Sequence, residues 1–220
     1  MNEEIQIKII ELIDDGATLE HSSELKKLVD SSEEAKSFYK NILNSNSAIN
    51  AFFGGDNATR QFNDLVPPGF GCSKIVVREV YTPSGNWSSF PAHKHDERIL
   101  DDKGKVLEPI QEETYFYKFQ KEEAYAIQQV YTKDKSLDEI VRAKHNDVVM
   151  IPKGFHPVVA EHGFHCYYLN FLAGTDQCLE NTTDPDHEWI YNSWKTKDKR
   201  LPLVTPSTVS YTHLRAHETR

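Results

Sequence analysis

Apolar residues recur at helical spacing over the first fifty positions and then give way to short, alternating runs. Ile5, Ile9, Ile10, Leu12 and Ile13 follow a helical stripe that Ile7 interrupts, and Asp15-Gly16 stops the run. A second helical segment is expected from about Leu19 to Val29. A third is expected behind Ser32, which can cap it, with Glu33 and Glu34 in the first turn and Phe38, Tyr39, Ile42 and Leu43 on the apolar side. Acidic residues outnumber basic ones in this piece.

From about Gly54, turn clusters such as Gly54-Gly55-Asp56-Asn57 and Pro67-Pro68-Gly69-Phe70-Gly71 bracket runs rich in β-branched and aromatic residues. Strands are predicted over 75–81, 115–119, 123–131, 147–151, 156–160 and 165–171. Regular short strands separated by turns predict a mainly β fold, an antiparallel sandwich or barrel of jelly-roll type. Ser136 to Ile140 reads as loop or a brief turn, and residues 96–111 as a charged insertion. Asp184 to Leu203 carries Trp189, Tyr191 and Trp194 and is expected to cover the barrel as an extension. Beyond about Thr205 the apolar order ends, and residues 205–220 read as a non-native tail; the His213/His217 pair there is set aside as a metal motif.

Candidate chemistry sits on the strand-like segments. His93 and His95, one residue apart on extended chain, point to the same side. Glu113 precedes the β-prone run Tyr115-Phe116-Tyr117, and His156 follows the Pro152-Lys153-Gly154 turn. Three imidazoles and a carboxylate are the donors a divalent cation takes in a small β fold. Glu112 and Glu97 are the rival carboxylates; Glu113 is favoured because it shares the inward phase of Tyr115 and Tyr117.

Two histidines separated by one residue, then a glutamate, then Asp147 leading to Pro152-x-Gly154 and His156, resemble the two cupin motifs. Arg60-Gln61-Phe62, Thr82-Pro83-Ser84-Gly85-Asn86-Trp87-Ser88-Ser89 running to Pro91-x-His93-Lys94-His95-Asp96, Glu113-x-Tyr115-Phe116-Tyr117 and Tyr167-Tyr168-Leu169 resemble the 5-deoxy-glucuronate isomerases of inositol catabolism. The likeness runs from about Gly54 to Val204. It implies a cupin-type jelly-roll barrel over 54–204, metal ligands His93, His95, Glu113 and His156, and interconversion of 5-deoxy-glucuronate and 2-deoxy-5-keto-gluconate. Zinc is the first choice of metal because nothing in the donor set requires redox chemistry; manganese, iron and nickel accept the same donors. Members of that family carry a whole cupin half ahead of the metal-binding half. About fifty helical residues cannot build one, so residues 1–50 are expected to be foreign to the family.

For the proton carrier the candidates are Glu112, Tyr115, Tyr117 and His165. The competing assignments are solvent exposure for Glu112, core packing for the tyrosines and a rim position for His165. A sugar acid needs a cation near the mouth. Lys153, just ahead of His156, is preferred, with Arg98 beside it; Lys94 points away by strand alternation. Asn86 and Trp87 shape the pocket wall or fix the turn into the histidines. Two rival functions are a non-catalytic sugar-acid-binding or regulatory cupin and an iron-dependent oxygenase.

Composition bounds the rest. The 220 residues are 38% hydrophobic and 27% charged, with a net charge of -9, as in ordinary globular proteins. The acidic balance argues against a nucleic-acid partner, no window is long and apolar enough to span a membrane, and Cys72, Cys166 and Cys178 read as reduced thiols of a cytoplasmic protein. Oligomeric state is not legible.

Overall fold

The computed structural model describes residues 3–14, 19–48 and 51–205. The chain divides into two compact units, residues 1–48 and 49–220, and each is described by itself.

The first unit holds helices α1 (Glu3–Asp14), α2 (Ser23–Val29) and α3 (Glu33–Ala48). Each of the last two starts on a serine that takes up an orphan amide: Ser22 Oγ accepts from Leu25 N (3.1 Å) and Ser32 Oγ from Ala35 N (3.0 Å). Ile9, Leu25, Val29, Ala35 and Tyr39 form its buried centre. α1 and α3 fall where the apolar stripes place them, while α2 starts at Ser23, four residues after the expected Leu19.

The second unit is mainly β, and its strands pair antiparallel. They are β1 (Ala51–Phe53), β2 (Arg60–Val66), β3 (Ile75–Thr82), β4 (Trp87–Ser88), β5 (His93–Lys94), β6 (Asp96–Leu100) and β7 (Val106–Phe119). Then follow β8 (Tyr125–Tyr131), β9 (Asp138–Lys144), β10 (Val148–Ile151), β11 (Val158–Ala160), β12 (Cys166–Gly174) and β13 (Thr182–Thr183). The large sheet runs β1-β2-β3-β12-β7-β10 with β6 added on β7; the smaller runs β4-β11-β8-β9; β5 pairs with β13. One core joins the two main sheets, with Val80, Tyr115, Tyr117 and Tyr168 from the large sheet and Ala126, Val130, Ala143 and Val158 from the smaller. This is the two-layer jelly-roll arrangement the strand pattern predicts. Among the described residues the two sheets meet face to face without closing edge to edge into a barrel.

Strand period positions the site. On β7, Gln111, Glu113, Tyr115, Tyr117 and Phe119 turn inward while Glu112 and Lys118 face solvent. On β12, Tyr168, Asn170 and Leu172 share the inward phase, opposite Tyr117, Tyr115 and Glu113 respectively. Arg78 and Val80 of β3 stand opposite Asn170 and Tyr168, and Phe62 of β2 stands opposite Val80. Four adjacent strands thus lay one continuous inner wall.

Two segments differ from expectation. Residues 138–144 form β9, an edge strand on β8, where the sequence reads as loop or a brief turn over 136–140. Its polar composition reflects an edge that faces water rather than a lack of strand. Residues 96–111 are a hairpin, β6 with the first half of β7, closed by a turn in which Asp101 Oδ1 accepts from Lys103 N and Lys105 N (2.8 Å each). Beyond β13 the chain makes a 3-10 helix (Pro185–Asn192) and an extended strap. The strap is laced to β2 through Gln61, whose Oε1 accepts from Leu203 N (2.9 Å) and whose Nε2 donates to Val204 O (2.7 Å). Trp194 packs edge-on to Phe53, while Trp189 is 65% exposed. Residues 206–220 lie outside the described residues.

The turn that delivers His156 depends on Gly154. Its φ is +89°, and a Cβ there would sit 2.5 Å from Tyr131 O. Its N–H donates to Asp96 Oδ2 (2.7 Å), tying this turn to the segment just after His95. Gly154→Ala is expected to lower stability by about 2 kcal/mol or more from backbone strain and the carbonyl clash, seen as a lower denaturation midpoint, with weakened metal retention. An unchanged midpoint overturns this role for the glycine.

Candidate metal centre

His95, Glu113 and His156 are all buried, and one donor atom from each lies within 4.8 Å of the others. Glu113 Oε2 is 3.0 Å from His95 Nε2 and 3.0 Å from His156 Nε2. His93, half-buried, stands with its ring centroid 4.9 Å from that of His156 and 6.4 Å from that of His95.

The tautomers follow from the partners. His95 Nδ1 is 2.9 Å from Gln111 O, His156 Nδ1 is 2.8 Å from Gly154 O, and His93 Nδ1 is 3.3 Å from Pro91 O. A carbonyl oxygen only accepts, so each Nδ1 carries a hydrogen, and in the neutral ring Nε2 is the atom that offers a lone pair. His156 Nε2 then has no hydrogen-bond partner although Glu113 Oε2 is 3.0 Å away. Two acceptors at that distance call for positive charge between them, a proton in the metal-free protein or a bound cation. A divalent cation fits this donor set: neutral imidazoles oriented by carbonyls, with a carboxylate held in turn by Asn170 Nδ2, which donates to Glu113 Oε1.

Electrostatics agree with the geometry. In the metal-free protein burial works against the Glu113 carboxylate, but its close contacts with His156 and His95 outweigh it and hold the pKa well below the usual range. Burial also works against the charged form of His95, yet the Glu113 contact prevails and raises its pKa. His93 is pushed down to about 3, by burial first and then by His156.

The loops are held by side chains that sequence spacing does not reveal. Glu108, fully buried, accepts from Lys94 Nζ, Asp96 N and Glu97 N (2.9 Å each), and Lys94 Nζ also reaches Asp96 Oδ1 (2.7 Å). Lys94 therefore points away from the imidazoles and anchors the chain on both sides of His95.

A cavity of about 340 Å³ opens over the cluster, within the usual range for small-molecule sites. His93, His95 and Glu113 reach it, as do Arg60, Arg78, Gln111, Asn170, Ser89, Tyr168 and Glu180. Other sequence candidates are placed elsewhere. Glu112 is exposed on the outer face of β7, and Glu97 is exposed. Tyr117 donates to Gln128 Oε1 (2.9 Å) within the core. His165 Nδ1 accepts from Ser84 N (3.0 Å) and stands outside the lining. Lys153 is exposed, and Arg98 is paired with Asp176 on the surface (3.0 Å); neither lines the cavity. Asn86 ties Thr59 O to Asp198 (2.9 Å each), and Trp87 packs on Phe90. Tyr115 sits behind the wall, its hydroxyl 3.0 Å from Ser89 Oγ. Ser89 Oγ also reaches the Tyr168 hydroxyl (3.4 Å), which is 2.5 Å from Ser88 Oγ. Asn170 and Gln111 had a legible signal, the inward phase of β12 and β7; Glu180, on a loop, had none.

The chain is 41% identical over 140 residues to the 5-deoxy-glucuronate isomerase of Geobacillus thermodenitrificans, covering 64% of this chain and 49% of that protein. It is 39% identical over 138 residues to the enzyme of the same name from Halalkalibacterium halodurans, covering 62% and 49%. An IolB-like protein of Salmonella typhimurium LT2, known as a crystal structure, superimposes with a TM-score of 0.61 at 37% identity, over 64% of this chain and 52% of that one. The chain thus spans about half the length of the relatives it matches. The KduI/IolB family model matches residues 13–190, reaching back into the helical unit. The chain belongs to the KduI/IolB family.

Proposed function

We propose that the protein is a metal-dependent aldose–ketose isomerase that converts 5-deoxy-glucuronate to 2-deoxy-5-keto-gluconate. The observation that carries this reading is the set of carbonyl-oriented imidazoles around Glu113, opening on a cavity of sugar size. His93, His95, Glu113 and His156 would hold the cation, with zinc the first choice. Bound there, it supplies Lewis-acid stabilisation of negative charge on neighbouring substrate oxygens.

The protein's own groups supply orientation and proton handling. Burial, and then the Glu113 charge, holds the Tyr115 phenol well above its ordinary pKa. Tyr115 is therefore a donor at neutral pH rather than a base. Its hydroxyl meets Ser89 Oγ, which lines the cavity, so Ser89 and Tyr115 form a short hydroxyl relay toward substrate. Glu180 is the carboxylate of the lining outside the metal cluster and takes the role of proton acceptor.

The test is turnover. Zinc- or manganese-loaded protein is incubated with 5-deoxy-glucuronate in deuterated water and followed by proton NMR. Appearance of the ketose with solvent deuterium at the reacting carbon is the expected result. Retention of the original hydrogen means a hydride shift or a base that does not exchange with solvent, and binding without conversion refutes the isomerase reading. Tyr115→Phe is expected to lower kcat by about 100-fold while KM stays within about threefold; unchanged kcat removes Tyr115 from the relay.

A further inference from the structure

Two arginines occupy the inner wall of the cavity, and their surroundings differ. Arg78 on β3 is clamped by Asp64, with Nε at 2.5 Å from Oδ1 and Nη2 at 3.0 Å from Oδ2. Its charge is already answered. Arg60, at the start of β2, is 9% exposed, and no carboxylate lies within ion-pair distance of it among the described residues. Its Nη1 donates to Ala58 O (3.2 Å) and Phe90 O (3.0 Å), and its guanidinium lies 4.7 Å over the Phe53 ring. These contacts fix the plane of the fork without neutralising it. The rest of the fork has no hydrogen-bond partner among the described residues.

A buried charge is costly unless it is paired. An unpaired guanidinium in a cavity wall therefore marks the place of an anion. On the same wall, the side-chain Oε1 of Gln111 is buried without a hydrogen-bond partner. A ligand that answers both carries an anionic group and a hydroxyl. One guanidinium supplies one positive charge in a planar fork, which matches a carboxylate better than a phosphate dianion.

We propose that Arg60 is the carboxylate subsite of this cavity, receiving the acid end of a sugar acid whose other end faces the metal centre, with Gln111 Oε1 accepting from one of its hydroxyls. This rests on the sugar-acid reading given above. Arg60 here replaces Lys153 and Arg98, which do not reach the cavity.

The test uses the full zinc-loaded chain in calorimetric titrations with D-glucuronate, D-glucose and glucose 6-phosphate. Wild-type protein is expected to bind glucuronate about 10- to 100-fold tighter than glucose, the loss of one charge-assisted contact accounting for the difference. Arg60→Gln should abolish that preference while zinc content and glucose affinity stay unchanged. A glucuronate preference that survives in Arg60→Gln overturns the Arg60 assignment and leaves the sugar-acid reading intact. Wild-type protein with no preference for glucuronate overturns both. Tighter binding of glucose 6-phosphate overturns the carboxylate assignment. Should Arg60→Gln not hold zinc, phenylglyoxal labelling of wild-type protein, mapped by mass spectrometry, decides the matter. Glucuronate but not glucose should shield Arg60, and equal labelling in the two overturns the proposal.

Discussion

His156→Ala and His95→Ala are each expected to leave the protein without stoichiometric metal and without turnover, while the β unit stays folded. Each removes a buried donor that faces Glu113 at 3.0 Å. Two nearby carboxylates, Glu108 and Asp96, are engaged with Lys94 and the loop amides rather than turned to the cluster. The loss in metal affinity should exceed the roughly 10- to 100-fold that follows removal of an outer hydrogen bond. Asn170→Ala supplies that smaller step for comparison, since Asn170 touches only the far oxygen of Glu113. The check is metal content by mass spectrometry after dialysis, with circular dichroism to confirm the fold. A graded series is the expected outcome, with Asn170→Ala between wild type and the histidine variants. Full metal content in both histidine variants would show that the cation, if bound, sits elsewhere.

Much of this arrangement is written in residue phase. Alternation alone puts Glu113 on the inner face of β7 with Tyr115 and Tyr117, and it separates Glu113 from Glu112. The Pro152-Lys153-Gly154 turn announces that the chain reverses just before His156, and the observed φ of Gly154 explains why glycine stands there. What local pattern does not carry is register between distant strands. Arg60, Arg78 and Asn170 line one cavity because β2, β3 and β12 are neighbours, and their sequence separations say nothing of it. Lys153 and Arg98 flank ligands along the chain. In space, one faces solvent from a turn and the other meets Asp176. Strand β9 was hidden by its own polarity, since an edge strand needs only one side buried.

Stability of the metal-free protein is expected to peak near pH 6.5 and to fall on both sides, for opposite reasons at two neighbouring histidines. His93 has a folded pKa pushed down to about 3, by burial first and then by His156. The unfolded chain therefore binds a proton near the ordinary histidine value of about 6.5 that the folded protein refuses. Its contribution is complete above that value and is lost as pH falls from about 6.5 toward 3, costing a few kcal/mol over the range. His95 runs the other way. Burial opposes its charge, but the Glu113 contact raises its pKa, so its contribution is complete below about 6.5 and fades as pH climbs through the raised value. Glu113, held low by both histidines against its burial, adds a further acid loss only once pH drops below about 4.5, where the unfolded carboxylate begins to take up protons. Urea midpoints of chelator-treated protein across pH 4–9 test this. His93→Gln should flatten the limb between pH 6.5 and 4.5, and His95→Gln should flatten the alkaline limb. Loading zinc should abolish the alkaline limb in wild type, because the cation replaces the proton between His95 and Glu113 and needs the imidazoles neutral. An acid limb that persists in His93→Gln would mean that the half-buried ring of residue 93 is better solvated than its packing against His156 implies.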